Sequence, residues 1–329
     1  MRQLCFAAVL CLATGALADD LYTNGPFITN PTGGTGTIAG LPISNPDPFM
    51  FPGNPSTFYT TGVAATVATN TASAEDFTVP AGEVWDLDSV TLYAFQTSQT
   101  TATIHHIQIN LWTAPPFDAL SPPPVPDPLP LPVLATPLVI PAGTGVFTCH
   151  RQGSATATGT VRPVFAYTVS LDGLPNGGRL GPGTYWLEWS FDGALSPSQN
   201  VFQPLISPRT ARTGHNARLK NSIDGSSTGP RTWFEGREGF SAGLSDGRAY
   251  ELPFILHGTS SPLPPCGSAD FNCDGDVGTD ADIESFFACL SGTCPAAPCA
   301  SNADFNADGD IGTDADIEAF FRVLGGGSC

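Results

Sequence analysis

Oxygen-bearing side chains recur in a fixed order near the end of this chain. Asp270, Asn272, Asp274 and Asp276 in "DFNCDGDVGTDADIESFF" are matched by Asp304, Asn306, Asp308 and Asp310 in "DFNADGDIGTDADIEAFF", 34 residues later. The copies differ at three positions, Cys273/Ala307, Val277/Ile311 and Ser285/Ala319. Side-chain oxygens at positions 1, 3 and 5, a glycine at 6 and a backbone carbonyl at 7 are what a hard cation such as Ca2+ takes from a tight loop. Gly275 and Gly309 permit the turn that aims those oxygens at one point. Without a cation, converging carboxylates repel, by roughly 4 kcal/mol per pair at about 4 Å near a protein surface. An ordinary EF-hand loop has Glu at position 12, whereas Ala281 and Ala315 stand there. Val277 and Ile311 at position 8 are expected to lie inward as a short bridge between the loops.

Each loop must be carried by a helix. Ile283, Phe286, Phe287 and Leu290 are spaced i, i+3, i+4, i+7, and Ile317, Phe320, Phe321 and Leu324 repeat the pattern. Thr279 and Thr313 are the expected N-caps, and Asp282 or Asp316 three residues later would complete a capping box. One such unit is below the roughly 40 residues that sustain a core, so two copies are expected to bury their Phe-Phe faces on each other.

Half an EF-hand, duplicated, resembles the dockerin module. The wording "DFN-DGD-GTDADIE-FF" with flanking cysteines is similar to the GC-type dockerin tails of secreted bacterial proteins, over residues 266–329. The resemblance implies two Ca2+ sites. Asp270, Asn272, Asp274, Asp276 through its carbonyl, and a closing Asp282 would form the first. Asp304, Asn306, Asp308, Asp310 and Asp316 would form the second. The closing carboxylate is the one just before Ile283 or Ile317, which makes each loop one residue longer than the family's spacing and leaves Asp280 and Asp314 as alternates. The resemblance also implies a cohesin-like or other surface partner, gripped at Thr279-Asp280 and Thr313-Asp314.

From Ser261 to Cys329 there are 12 acidic residues against Arg322 alone, a net of −11. That concentration of carboxylate implies a cation, a basic partner or a disordered tail. Six cysteines in the same stretch (266, 273, 289, 294, 299, 329) favour a folded disulfide scaffold. Cys273 and Cys289 occur only in the first repeat, opposite Ala307 and Val323, which suggests a bond between them. Cys266 with Cys294 and Cys299 with Cys329 would then clamp one repeat each, and a Cys266–Cys329 clasp is the alternative.

The chain opens with "MRQLCFAAVLCLATGALADD", one cation, an apolar run and a small-x-small site, which reads as a signal peptide over residues 1–18 and hence export. No later run is long and apolar enough for a membrane span. With 12 basic against 30 acidic residues, nucleic acid is excluded as a partner for want of a basic footprint.

Residues 19–258 read as all-β, with short alternating runs broken by Gly, Pro and Asn, and a β-sandwich or jelly roll is expected. In "TYWLEWSF", Tyr185, Leu187, Trp189 and Phe191 share one face, Trp186 and Glu188 the other. Ser121 to Gly143 is too proline-rich for a central strand, and residues 259–265 are expected to be a stiff linker. The fold class is thus mainly β, with a small α-helical, disulfide-linked, calcium-binding module behind it.

Nothing in the β region spells a catalytic site. "GSSTG" (225–229) and "GFSAG" (239–243) lack the strand and helix of a nucleophile elbow. His105-His106 and Cys149-His150 are neighbours whose side chains diverge in a strand, and Glu188 with Asp192 only imitates a glycosidase pair. Seven cations (Arg209, Arg212, Arg218, Lys220, Arg231, Arg237, Arg248) cluster around Trp233 and Phe234, either a solvated face or a shallow glycan site. The expected function is a secreted, non-catalytic β-sandwich tethered to a surface or extracellular assembly. The alternative is an extracellular polysaccharide-degrading enzyme, a hydrolase of O-glycosyl bonds, carrying the same tail.

Overall fold

In the computed structural model the described residues are 19–45, 62–117, 132–152, 162–194, 202–205, 217–222, 231–236, 251–262, 267–295 and 302–327. Residues 1–18, both G-x-S-x-G stretches, Arg209, Arg212, Arg237, Arg248, Cys266, Cys299 and Cys329 lie outside them. The chain forms two compact units, Met1–Ser261 and Pro262–Cys329.

The first unit is built on two sheets. One runs β1 (Asp19–Asn24), β14 (Phe254–Pro262), β4 (Glu83–Phe95), β8 (Pro163–Ser170), β7 (Val146–Arg151) and β2 (Ile43–Ser44), with β9 (Arg179–Leu180) and β11 (Gln203–Pro204) also on β4. The other runs β13 (Arg231–Glu235), β12 (Arg218–Ser222), β3 (Ala72–Val79), β10 (Gly183–Gly193), β5 (Ile104–Trp112) and β6 (Leu138–Pro141). The period-2 alternation read in β10 sets the packing: Leu187, Trp189 and Phe191 join one core with Val90, Leu92, Tyr167, Phe254 and Leu256 of the first sheet. Each fully buried side chain of this size contributes about 1.5–3 kcal/mol. Thr259 to Pro262, expected as linker, are the end of β14, because their backbone continues the strand.

One inward position breaks the apolar pattern. Glu75 of β3 shares its face with Phe77, is fully buried, and receives the Leu252 N–H at 2.8 Å on Oε2. Burial first, then the neighbouring charges of Glu251 and Asp76, hold its carboxyl well above the ordinary range, against the pull of the Leu252 and Asp76 N–H groups. A raised folded value means the folded state keeps a proton that the unfolded chain releases. Its contribution to stability is full at acid pH and lost as pH rises through the folded value. Glu75→Gln, a neutral isostere, should therefore flatten the decline of melting temperature between pH 4 and pH 8. An unchanged decline would show that Glu75 does not titrate as described.

In the second unit, α1 (Asp280–Leu290) and α2 (Asp314–Leu324) follow the two loops. Phe286 and Phe320 stack at 4.2 Å between ring centres. Phe271 and Phe305, the second residue of each loop, meet them edge-on at 5.3 and 5.2 Å. The expected burial of both Phe-Phe faces is half right. Phe286 and Phe320 are inside, while Phe287 (44 % exposed) and Phe321 (43 %) remain at the surface 6.2 Å apart. The loop phenylalanines fill the space the outer pair was expected to fill.

Candidate cation loops

Both loops turn through the same backbone. Cys273 and Ala307 at position 4 have φ of 59° and 56°, and Gly275 and Gly309 at position 6 have 94° and 95°. Only glycine adopts the latter without strain. The Gly275 N–H donates to Asp270 Oδ2 at 3.2 Å and the Gly309 N–H to Asp304 Oδ2 at 3.1 Å. Asn272 receives the Asp274 N–H on its Oδ1 and donates from Nδ2 to Asp274 Oδ2, and Asn306 does the same with Asp308.

After these bonds one buried oxygen of each loop's first aspartate is left over. Asp270 Oδ1 and Asp304 Oδ1 are buried atoms with no hydrogen-bond partner. Leaving a buried acceptor unpaired costs about 1–3 kcal/mol, more for a charged one, unless something binds it. In the second loop Asp304, Asp308 and Asp316 offer oxygens within 4.8 Å of one another. Ca2+ holds oxygens at about 2.3–2.6 Å, so ligands on opposite sides of one ion stand roughly 5 Å apart. The donor set fits a hard cation. Asp276 and Asp310 have exposed side chains.

Asp282 and Asp316 are fully buried and sit at the root of each helix. Asp282 Oδ1 accepts the Phe271 N–H at 2.8 Å and the Asn272 N–H at 3.3 Å, and Oδ2 accepts the Thr279 N–H and hydroxyl at 2.8 and 3.0 Å. Asp316 repeats the pattern on Phe305, Asn306 and Thr313. The capping box is thus present in both helices. Burial by itself would raise the Asp282 carboxyl; the Thr279 N–H, Asn272 N–H, Thr279 hydroxyl and Phe271 N–H outweigh it and hold the group below its ordinary value. Asp280 and Asp314, the alternates, are exposed in the first helical turn.

Two expectations are corrected here. Val277 (70 % exposed) and Ile311 (63 %) do not bridge the loops. In the first loop the Gly278 N–H closes on Ala269 O of its own repeat at 3.2 Å, turning position 8 outward. Cys289 is bonded to Cys294, with Cα atoms 4.0 Å apart, so neither Cys273–Cys289 nor Cys266–Cys294 forms. The reason is local: α1 ends at Leu290 and Gly292, at φ 96°, reverses the chain beside it. Cys273 is also disulfide-bonded, at the exposed loop apex. Non-reducing peptide mapping should recover 289 linked to 294. Recovery of a 273–289 peptide would overturn this pairing.

The β unit's candidates are dispersed by the structure. Glu188 is held by Trp112 Nε1–H at 2.7 Å, and burial raises its carboxyl against that bond and Lys220. Asp192, four residues along the same strand, is about 13 Å away, beyond the roughly 5–9.5 Å of a glycosidase pair. The Cys149 thiol is buried and free, and burial pushes it up to about 12, which makes it a poor nucleophile. His105 and His106 are both exposed. Trp233 joins Trp186, Trp112 and Phe117 in a small cluster, and Arg218 lies 5.9 Å over Trp186. At 6 % and 1 % exposure, the Trp233 and Trp186 rings offer no free face to a sugar.

One constellation had no local signal in the sequence, its members lying up to 237 residues apart. Asp20 Oδ1 meets His257 Nδ1 at 2.7 Å, and His257 Nε2 meets Thr91 Oγ1 at 2.7 Å, which in turn meets Thr168 Oγ1 at 2.7 Å. The spacing is that of a nucleophile, base and orienting acid. The four residues stand on adjacent strands, whose N–H groups are spent in the ladder and aimed along the sheet. The row stitches β1 to its neighbours across the sheet surface. Phe271 and Phe305 were also missed, although "DFN" repeats in both copies.

Comparison with protein-family models, with curated proteins and with solved structures returns no match for this chain.

Proposed function

We propose that residues 267–327 bind two Ca2+ ions and that the ion-organised unit tethers an exported, non-catalytic β unit to a cohesin-like or other surface partner. The single observation carrying the reading is the buried, unpartnered oxygen of the first aspartate in each loop. Asp270, Asn272, Asp274 and Asp276 would hold one ion and Asp304, Asn306, Asp308 and Asp310 the other, while Asp282 and Asp316, engaged by four donors each, would close a site only by exchanging one of these bonds for the ion. Bound, the ion neutralises carboxylates that otherwise repel. The chain's own part is to aim them: Gly275 and Gly309 N–H groups orient the first aspartate, and the Asn272 and Asn306 amides orient the third ligand.

The tethering surface follows from what stays exposed. The Thr279 and Thr313 hydroxyls are engaged with Asp282 and Asp316, so a partner meets Asp280 and Asp314 instead. Beside them stands the Phe287/Phe321 pair, flanked by Glu284 and Glu318. An apolar centre with an acidic rim suits a partner with a basic rim.

Calorimetric titration of the chelator-stripped full chain should show two Ca2+ ions bound. At a hundred times the dissociation constant, each should stabilise its unit by about 2.7 kcal/mol. Asp270→Ala with Asp304→Ala should abolish both. Absence of uptake by the oxidised parent chain would reject the reading. Binding to a panel of cohesin-type domains should need calcium and weaken in Phe287→Ala/Phe321→Ala. Binding unaffected by both would reject the tethering surface.

A further inference from the structure

The aspartate at the start of each helix has filled every acceptor it owns. An ionised carboxylate offers about four lone-pair positions on its two oxygens. Asp282 gives them to the Phe271 and Asn272 N–H groups on Oδ1 and to the Thr279 N–H and hydroxyl on Oδ2. Asp316 does the same with Phe305, Asn306 and Thr313, at 2.7, 3.2, 2.8 and 3.0 Å. Both side chains are fully buried. The first aspartate of each loop is the opposite case, since Asp270 and Asp304 each keep a buried oxygen with no partner. One kind of buried aspartate is complete within the chain's own bonds, and the other is not.

What the completed pair holds lies outside the cation loops. Each capping box closes the start of α1 or α2 on Thr279 or Thr313. The Phe271 and Phe305 N–H groups belong to the residues whose rings meet Phe286 and Phe320 edge-on. Those four rings form one cluster, with Phe286 and Phe320 wholly buried. None of these contacts engages a side-chain oxygen of Asp270, Asn272, Asp274 or Asp276, or of their counterparts in the second loop. Small metal-binding domains commonly fold only when the metal arrives, because a preformed site rarely exists beforehand. Here the helix starts and the aromatic cluster are joined by bonds that need no ion.

We propose that Asp282 and Asp316 are positioning residues and not ligands, and that they build α1, α2 and the phenylalanine cluster in the absence of calcium. Calcium then orders only the loop segments 270–276 and 304–310, where Asp282 and Asp316 fix the third position through the Asn272 and Asn306 N–H groups. Groups that orient ligands without touching the ion are a regular part of metal sites. The ligand half of this inference rests on the calcium reading above, and the helix half stands without it.

Hydrogen exchange read by mass spectrometry on the oxidised full chain tests it, following peptides from α1 and α2 in excess chelator and in saturating CaCl2. The parent's helices should be protected alike in both conditions. Asp282→Asn/Asp316→Asn keeps the side chain's size but turns an amide NH2 toward converging donors. It should lose roughly tenfold or more of that protection in chelator. Asp270→Ala/Asp304→Ala removes the first ligands and leaves the clamp, so its helices should stay protected while calcium uptake is lost. Helices protected in the parent only after calcium is added would overturn the inference. An Asp282→Asn/Asp316→Asn chain whose helices match the parent's in chelator would overturn it as well. Calorimetric calcium uptake on the same samples separates the two readings. Uptake together with calcium-dependent helices rejects the clamp and keeps the calcium sites, whereas protected helices without uptake reject the calcium sites and keep the clamp.

Discussion

Asp282 and Asp316 hold the C-terminal unit together from inside. An isolated buried carboxylate costs several kcal/mol, and here each is met by three N–H groups and one hydroxyl. The donors come from both ends of the loop, so one side chain fixes the loop's span and starts the helix. Pinning the Phe271 and Phe305 N–H groups also directs those rings toward Phe286 and Phe320. The capping threonine and the buried aspartate stand three apart on one helical turn, which lets each cap the other.

The β unit handles a buried acid in the opposite way. Glu75 has two N–H donors and faces Glu251, so burial and repulsion win and the proton is retained. Asp282 has four hydrogen-bond donors, so hydrogen bonding wins and the charge is retained. Burial pushes both carboxyls up; at Glu75 the Glu251 and Asp76 charges add to it, and at Asp282 four hydrogen bonds outweigh it. The Asp20–His257–Thr91–Thr168 row applies this to the sheet surface, where polar side chains satisfy one another across four strands.

In the C-terminal unit, the residues left outside matter as much as those inside. Phe286 and Phe320 close the core between the repeats, while their neighbours in sequence remain half exposed at the surface beside acidic side chains. Consecutive residues lie about 100° apart around the axis, and with Phe271 and Phe305 packed on Phe286 and Phe320 the second ring of each pair is turned to the surface. The outward ring of each pair is then available to something other than the unit's own core.

Helix positions and the alternation in β10 were legible in the residues alone, because each depends on neighbours within a few positions. The duplicated acidic pattern and the capping threonines needed nothing further. Pairings between distant parts of the chain were decided only by the tertiary structure. The inward Glu75, the His257 row and the buried Trp233 depend on which strands lie side by side, which no local spacing encodes. The Cys289–Cys294 bond depended on where the chain reverses after α1, and the outward turn of Val277 on a hydrogen bond back to Ala269. Residue type sets what a side chain can do, but only the folded chain brings its partners within the few ångströms over which hydrogen bonds and packing act.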